Sequence, residues 1–394
     1  MGKNLSRQGF AELLLILSLA LWSFSCRKAG PAEVKLDRYF ENGIEVVQNH
    51  LAPYIVRGEP TALKLEEELT IDFAGAAIGE MGLANATDFI VDAGGFIYFI
   101  YVWKEGDTIF KFSPDGRFLK SWCRKGQGPG EVQFIGCACP TDGGQVIVSD
   151  QTSLKLIWFT SDGKFIRELK YPMDGRYDII YPVSEDRFVG YYRVWTNLEA
   201  EYFEYAFYLL DGNLKELKKL DVYRYPNPAK KGQRGVNRNN FFVMKSSPDR
   251  LFIGNEDRGY EILELDHNGN PLKRIRKEYA PVRVPEEIIR KRKATLAGRG
   301  GGYYFPEYYL PICDFFADDD NRLFVMTFEK GPNPGEYYYD VFNPSGVFIQ
   351  RKPLNILTWG DIAACGQATR NRLYCFQERP DGYRVFKVYK IVWQ

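Results

Sequence analysis

Residues 90–120 read IVDAGGFIYFIYVWKEGDTIFKFSPDGRFLK, and residues 139–169 read CPTDGGQVIVSDQTSLKLIWFTSDGKFIREL. Each stretch passes through an apolar run, a Gly-Gly turn, a second run, a polar loop, a third run, an Asp-Gly turn and a fourth run. Apolar and polar residues alternate with period two, and Gly-Gly and Asp-Gly are dipeptides that tight hairpins favour. Each stretch therefore predicts a four-stranded antiparallel meander. Weaker copies follow around EDRFVGYY, PDRLFIGN, DDDNRLFVMTF and RNRLYCFQERPDGYRVFKVYKIV. The second turn of successive units falls at Gly116, Gly163, Gly212, Gly269 and Gly346. The widening gaps between these glycines place insertions in the later units.

Six such units predict an all-β chain, a six-bladed β-propeller of four-stranded antiparallel blades. The sixth unit runs out of chain after three strands. The alternating stretch ALKLEEELTID, residues 62–72, is expected to supply the missing strand and close the ring. Composition agrees, since aromatics reach 15% of the 394 residues, with 26 Tyr and 28 Phe, and aromatics favour strands. A formal net charge of +1 argues against a nucleic-acid partner, which calls for a basic excess or stripe.

The first residues read as an export signal. Lys3 and Arg7 precede an apolar run from Leu13 to Phe24 that is too short to span a bilayer, where about 20 residues are needed. It ends Ser23-Phe24-Ser25-Cys26, small residues before a cysteine that resemble a bacterial lipobox. The expectation is a signal peptide over 1–25, lipid attachment at Cys26, a tether and lead-in over 26–60, and the propeller over 61–394. A simple secretory signal with a nearby cut is the alternative. The expected address is the bacterial cell envelope, periplasmic or surface side, with the membrane reached through the lipid.

The stretch GQVIVSDQTSLKLIWFTSDGKFIREL resembles an NHL repeat, with a strand ending in Asp, a polar loop, and an apolar strand before a D-G-x-F turn. Together with GQGPGEV, YYYDVFNPSGVFI and the lipidated start, it is similar to bacterial six-bladed β-propeller lipoproteins of unassigned function. The resemblance covers roughly residues 60–394. It implies the fold and leaves the activity open, because such propellers serve as enzymes, receptors and scaffolds.

Within this fold the glycine run RKGQGPGEV links the first blade to the second. A phosphate loop needs Gly-x-x-x-x-Gly-Lys-Ser/Thr ahead of a helix, whereas Glu131 and another strand follow here, so a structural turn is expected. Longer links span 222–240 and 276–311. The second contains one short helix from Pro285 to Ala297, with Glu286 and Glu287 at its positive end and Arg290 to Lys293 toward its negative end. It reads as a solvated lid helix or as a basic surface for an anionic partner.

These links gather on one rim. The candidate ligand-binding residues are placed there: Trp195, Arg234, Arg238, Arg299, Tyr303, Tyr304 and Glu307. Exposed rings beside arginines and carboxylates suit a small molecule, glycan, peptide or envelope protein. The opposite rim has short turns with little chemistry to offer.

For the alternative, a calcium-dependent hydrolase or lyase, Asp92, Asp150, Asp314 and Asp361 are the acidic candidates. Asp92 and Asp150 read as repeat residues capping strand ends. With two histidines and no C-x-x-C pair, no zinc site is expected, and the main reading is a non-catalytic binding module without a cofactor. Cys137 and Cys139 share a strand face and are poorly placed to bond each other, while Cys365 and Cys375 flank a turn and could pair.

Overall fold

A computed structural model describes residues 36–84, 86–103, 105–172, 177, 179–194, 201–227, 233–236, 242–255, 258–296, 302–357 and 366–394. Cys26 and the leader therefore lie outside the described residues.

Three strands precede the repeats: β1 (Asp37–Glu41), β2 (Ile44–Asn49) and β3 (Leu63–Asp72), followed by a one-turn helix α1 (Ala76–Glu80). Blade 1 is β4 (Asp88–Val91), β5 (Ile97–Ile100), β6 (Asp107–Phe112) and β7 (Phe118–Arg124). Blade 2 is β8 (Ile135–Pro140), β9 (Gln145–Asp150), β10 (Lys155–Thr160) and β11 (Phe165–Lys170). Blade 3 is β12 (Ile179–Pro182), β13 (Phe188–Val194), β14 (Tyr202–Leu210) and β15 (Glu216–Pro226). A short strand β16 (Gln233–Val236) leads to blade 4, which is β17 (Phe242–Ser246), β18 (Arg250–Asn255), β19 (Glu261–Asp266) and β20 (Pro271–Lys277). The helix α2 (Glu286–Leu296) and the strand β21 (Gly302–Tyr304) precede blade 5, which is β22 (Asp314–Ala317), β23 (Leu323–Lys330), β24 (Glu336–Phe342) and β25 (Phe348–Asn355). Blade 6 takes β26 (Gly366–Thr369), β27 (Arg372–Glu378) and β28 (Arg384–Trp393) from the end of the chain and β3 from its start.

The chain is a six-bladed propeller closed as the alternation of residues 62–72 predicts. Leu63 lies opposite Trp393 and Asp72 opposite Val385 in an antiparallel pair. Ion pairs reinforce the seam, with Lys387–Glu67 at 2.6 Å, Arg379–Asp72 at 2.8 Å and Arg372–Glu68 at 2.5 Å. Inside it, Phe73, Phe89, Phe99, Phe376 and Phe386 pack as edge-to-face and tilted rings. Edge-to-face contact suits the ring quadrupoles and adds to what area burial supplies.

The repeat turns carry the expected chemistry. Asp211, Asp266 and Asn343 accept hydrogen bonds from backbone N–H groups two and four residues on. Such side-chain caps hold each turn without another strand. Gly163 shows why its position takes glycine: φ is +77°, and a Cβ there would sit 2.4 Å from the Trp122 indole of the neighbouring blade. In blade 3 the left-handed residue is Leu214, at φ +62°, rather than Gly212.

Two features go beyond the expectations. A second helix, α1, joins the expected one, which spans Glu286–Leu296. The lead-in also contains a hairpin, β1–β2, turned at Asn42 (φ +50°) and Gly43 (φ +79°). Its second strand pairs in parallel with the outer strand β20 and makes blade 4 six-stranded. Asn49 fixes the junction from a fully buried position. Its Nδ2 donates to the carbonyls of Arg276 and Gly346, both at 3.0 Å, and its Oδ1 accepts from the Phe348 N–H at 2.7 Å. One side chain thus stitches the hairpin to blades 4 and 5.

Candidate functional site

The first strands of the six blades, β4, β8, β12, β17, β22 and β26, surround the ring axis. They line a cavity of about 1020 Å³. Its wall is apolar at Ile90, Ala138, Phe316 and Ala368, and polar groups make up much of the rest. Asp88 opens β4, Cys137 and Cys139 lie two apart on β8, Tyr181 sits on β12, Lys245 on β17 and Gln367 on β26. Asp314, at the start of β22, holds the Lys245 ammonium at 3.5 Å.

Enclosure governs the proton affinities here. Water reaches Asp88, yet protein surrounds it, and the lost hydration raises its carboxyl above the usual range. The Phe89 N–H and the Lys245 charge offset part of that rise, and Asp314 adds to it. Burial pushes the Cys139 thiol up to about 12 and lifts Cys137 and the Tyr181 hydroxyl well above their ordinary values. At neutral pH these three are protonated, so the two thiols are poor nucleophiles.

The cavity opens among the short turns that join first and second strands. Asp142, Glu185, Asp186, Asp318 and Asp319 stand there with Arg370 and His267. The expectation that this rim has little chemistry therefore fails: its turns are short, but all six converge on the axis. Asp318 is buried, and its carboxyl rises to about 6, although the N–H groups of Asp320 and Arg322 donate to it at 3.0 and 2.8 Å.

The acidic candidates separate by position. Asp92 accepts from the Phe96 N–H at 2.9 Å and the Tyr98 hydroxyl at 2.7 Å, which makes it a turn residue. Asp150 is fully buried and accepts from the N–H groups of Gln133, Thr152 and Ser153. Both cap strand ends as the repeat predicts. Asp314 is buried at the start of β22, and Asp361 lies outside the described residues. Asp88 lines the channel, whereas Asp314 is buried and held by Lys245. Among the described residues, no three His, Cys, Asp or Glu side chains converge on a metal-sized point.

The loop-rim candidates are partly gathered. Strands β16 and β21 pair in parallel, with Gly235 opposite Tyr303 and Val236 opposite Tyr304, so Arg234, Tyr303 and Tyr304 share one small sheet. Two links far apart in sequence are thereby joined. Glu307 is exposed and pairs with Arg283 at 2.8 Å. Trp195, Arg238 and Arg299 lie outside the described residues, as does Cys365. Glu307 does not line the axial cavity. A smaller cavity of about 270 Å³ beside Trp103 and Phe134 shares Asp88 and Cys137 with the axial one. Sequence reasoning missed Asp88, Lys245, Cys137 and Tyr181 as axial groups.

These elements define a six-bladed propeller with a polar axial cavity. Residues 91–246 match the family model of DUF5128, described as a 6-bladed beta-propeller. No curated protein matches the sequence. Among solved structures, a DUF4221 family member from Bacteroides vulgatus aligns at 13% identity over 85% of this chain and 100% of that one, with a TM-score of 0.53. A protein of Bacteroides fragilis described as exported aligns at 10% identity over 88% and 98%, with a TM-score of 0.49. A gluconolactonase from Xanthomonas campestris aligns at 10% identity over 85% and 97%, with a TM-score of 0.42. The first of these likenesses shows the propeller fold.

Proposed function

We propose that the protein is an exported, non-catalytic binding module of the bacterial cell envelope, held to a membrane by lipid on Cys26. Its ligand, a small molecule, glycan or peptide, or a segment of an envelope protein, enters the axial channel. The carrying observation is the cavity of about 1020 Å³ to which all six first strands contribute. That volume matches pockets that enclose small ligands, and its largely polar lining suits a ligand rich in hydrogen-bonding groups. The protonated thiols and the Lys245–Asp314 pair suit recognition better than bond making. The basic start and short apolar run of residues 1–25 support export. No cofactor and no nucleic acid enter this reading. The second reading, a calcium-dependent hydrolase or lyase, draws on Asp88 in the channel and the buried Asp314.

The test begins with a ligand found by thermal-shift screening or by pulldown from envelope extracts. Asp88→Asn and Lys245→Met should each weaken binding roughly tenfold, the cost of about one charged hydrogen bond. Arg234→Ala and Tyr303→Ala should leave it unchanged. The reverse pattern moves the site to the loop-rich rim. Tightly held calcium in the purified protein would favour the hydrolase.

A further inference from the structure

We infer that the loop-rich rim at blades 4 and 5 is a membrane-facing surface, on which α2 lies against anionic phospholipid headgroups. The inference rests on the lipid anchor proposed above, and two observations carry it.

The first is the helix itself. Arg290, Lys291, Arg292 and Lys293 follow one another without an acidic residue between them or in the rest of the helix beyond. Glu286 and Glu287 occupy the first turn. Only Lys291 has a carboxylate partner among the described residues, Glu287 at 2.9 Å, while Lys293 lies over the Phe305 ring at 5.6 Å. Ile288, Ile289, Arg292 and Leu296 are half-buried, and Arg290, Lys291 and Lys293 point to solvent. No residue of the helix is buried. A basic arc of this kind matches an anionic surface, and each Lys or Arg close to one adds to the attraction.

The second is where the N-terminal segment reaches the propeller. In the parallel pair, Asn49 lies opposite Lys277, the last residue of β20, and Asp37 lies opposite Gln48. Asp37 therefore stands where β20 hands the chain to the insertion that carries α2. His50 marks the spot, with Nδ1 3.1 Å from Glu278 and Nε2 3.4 Å from Asp37. Leu36 lies ten residue steps beyond Cys26, and ten steps reach at most about 35 Å. A lipid on Cys26 would hold this rim, and this sector of it, close to the bilayer. The same reach distinguishes a lipid surface from an acidic protein partner, which has no reason to sit where the anchor emerges. The channel mouth among the short turns would then face away from the membrane.

The test uses the mature chain from residue 26 on, carrying Cys26→Ala, so that neither lipid nor the apolar run of residues 13–24 contributes. It is mixed with sedimenting vesicles of phosphatidylcholine, with and without phosphatidylglycerol. The chain should prefer the anionic vesicles, and raised salt should abolish the preference. The triple variant Arg290→Glu, Arg292→Glu, Lys293→Glu should bind them at least roughly tenfold more weakly. Lys120→Glu, Lys164→Glu and Lys215→Glu together, placed toward the opposite rim, should not. Unchanged circular dichroism would show that both variants fold. Equal binding to neutral and anionic vesicles, or a preference that survives the α2 variant, overturns the inference. So does retention on an acidic protein or polysaccharide column without any preference for anionic vesicles. Fatty-acid labelling of the wild-type chain in cells tests the anchor separately, since it reads Cys26 and is blind to α2.

Discussion

Replacing Asn49 with Leu tests whether the N-terminal hairpin is part of the folded body. Leucine keeps much of the volume and supplies neither donor nor acceptor. The Phe348 N–H loses its partner, the Asn49 Oδ1 at 2.7 Å, and the carbonyls of Arg276 and Gly346 each lose a donor at 3.0 Å. The site is fully buried, and the leucine methyls keep water from replacing the amide. An orphaned buried N–H costs about 1–3 kcal/mol, and the two carbonyls add less because each can keep another partner. The expected loss is about 3 kcal/mol. Urea unfolding measures it, and amide exchange localises it: Phe348 should lose protection while blade 1 amides such as Phe99 keep theirs. A loss below about 0.5 kcal/mol with Phe348 still protected would refute the reasoning, because the side chain would then hold nothing together.

Two further outcomes follow from the same structure. A chain starting near residue 75 lacks β3 and leaves the apolar edge of β28 unpaired, so it should aggregate or melt well below the intact protein; equal melting would exclude ring closure as a stabilising feature. Asp318 binds its proton more tightly in the folded chain, with its carboxyl raised from 3.8 to about 6, so its contribution is fully favourable below the lower value and is lost as pH rises through that window. The ceiling is about 3 kcal/mol, and Asp318→Asn should flatten this part of the urea midpoint against pH; an unchanged slope counts against it.

Much of the architecture was legible because each blade is local. Strand, turn and strand lie within one repeat, and period-two alternation with Gly-Gly or Asp-Gly marks them. The glycine run behaves as its sequence predicts: the Gly128 N–H donates to the Glu131 carboxylate at 2.8 Å, and the Glu131 N–H returns to the Gly128 carbonyl at 3.0 Å. The acid that would repel a phosphate closes the turn instead. The hairpin at 37–49 had a signal, the Asn42-Gly43 pair between alternating runs, but nothing local states that it will pair in parallel with a strand more than 200 residues later. The axial site had no local signal. Lys245, Cys137 and Tyr181 read as ordinary strand residues, and they meet only because six first strands from distant repeats converge.

Ring closure by the two chain ends has a consequence for synthesis and export. Arg372 meets Glu68 across 304 positions of chain, and β3 waits for β28, which is made long after it. Contacts of such span slow folding and prolong the exposure of unpaired edges. A copy released before residue 384 could form its early blades, yet β3 would remain an orphan strand with its backbone donors open. The seam therefore works as an inspection point: a finished chain hides that edge, and a shortened one displays it to chaperones and proteases.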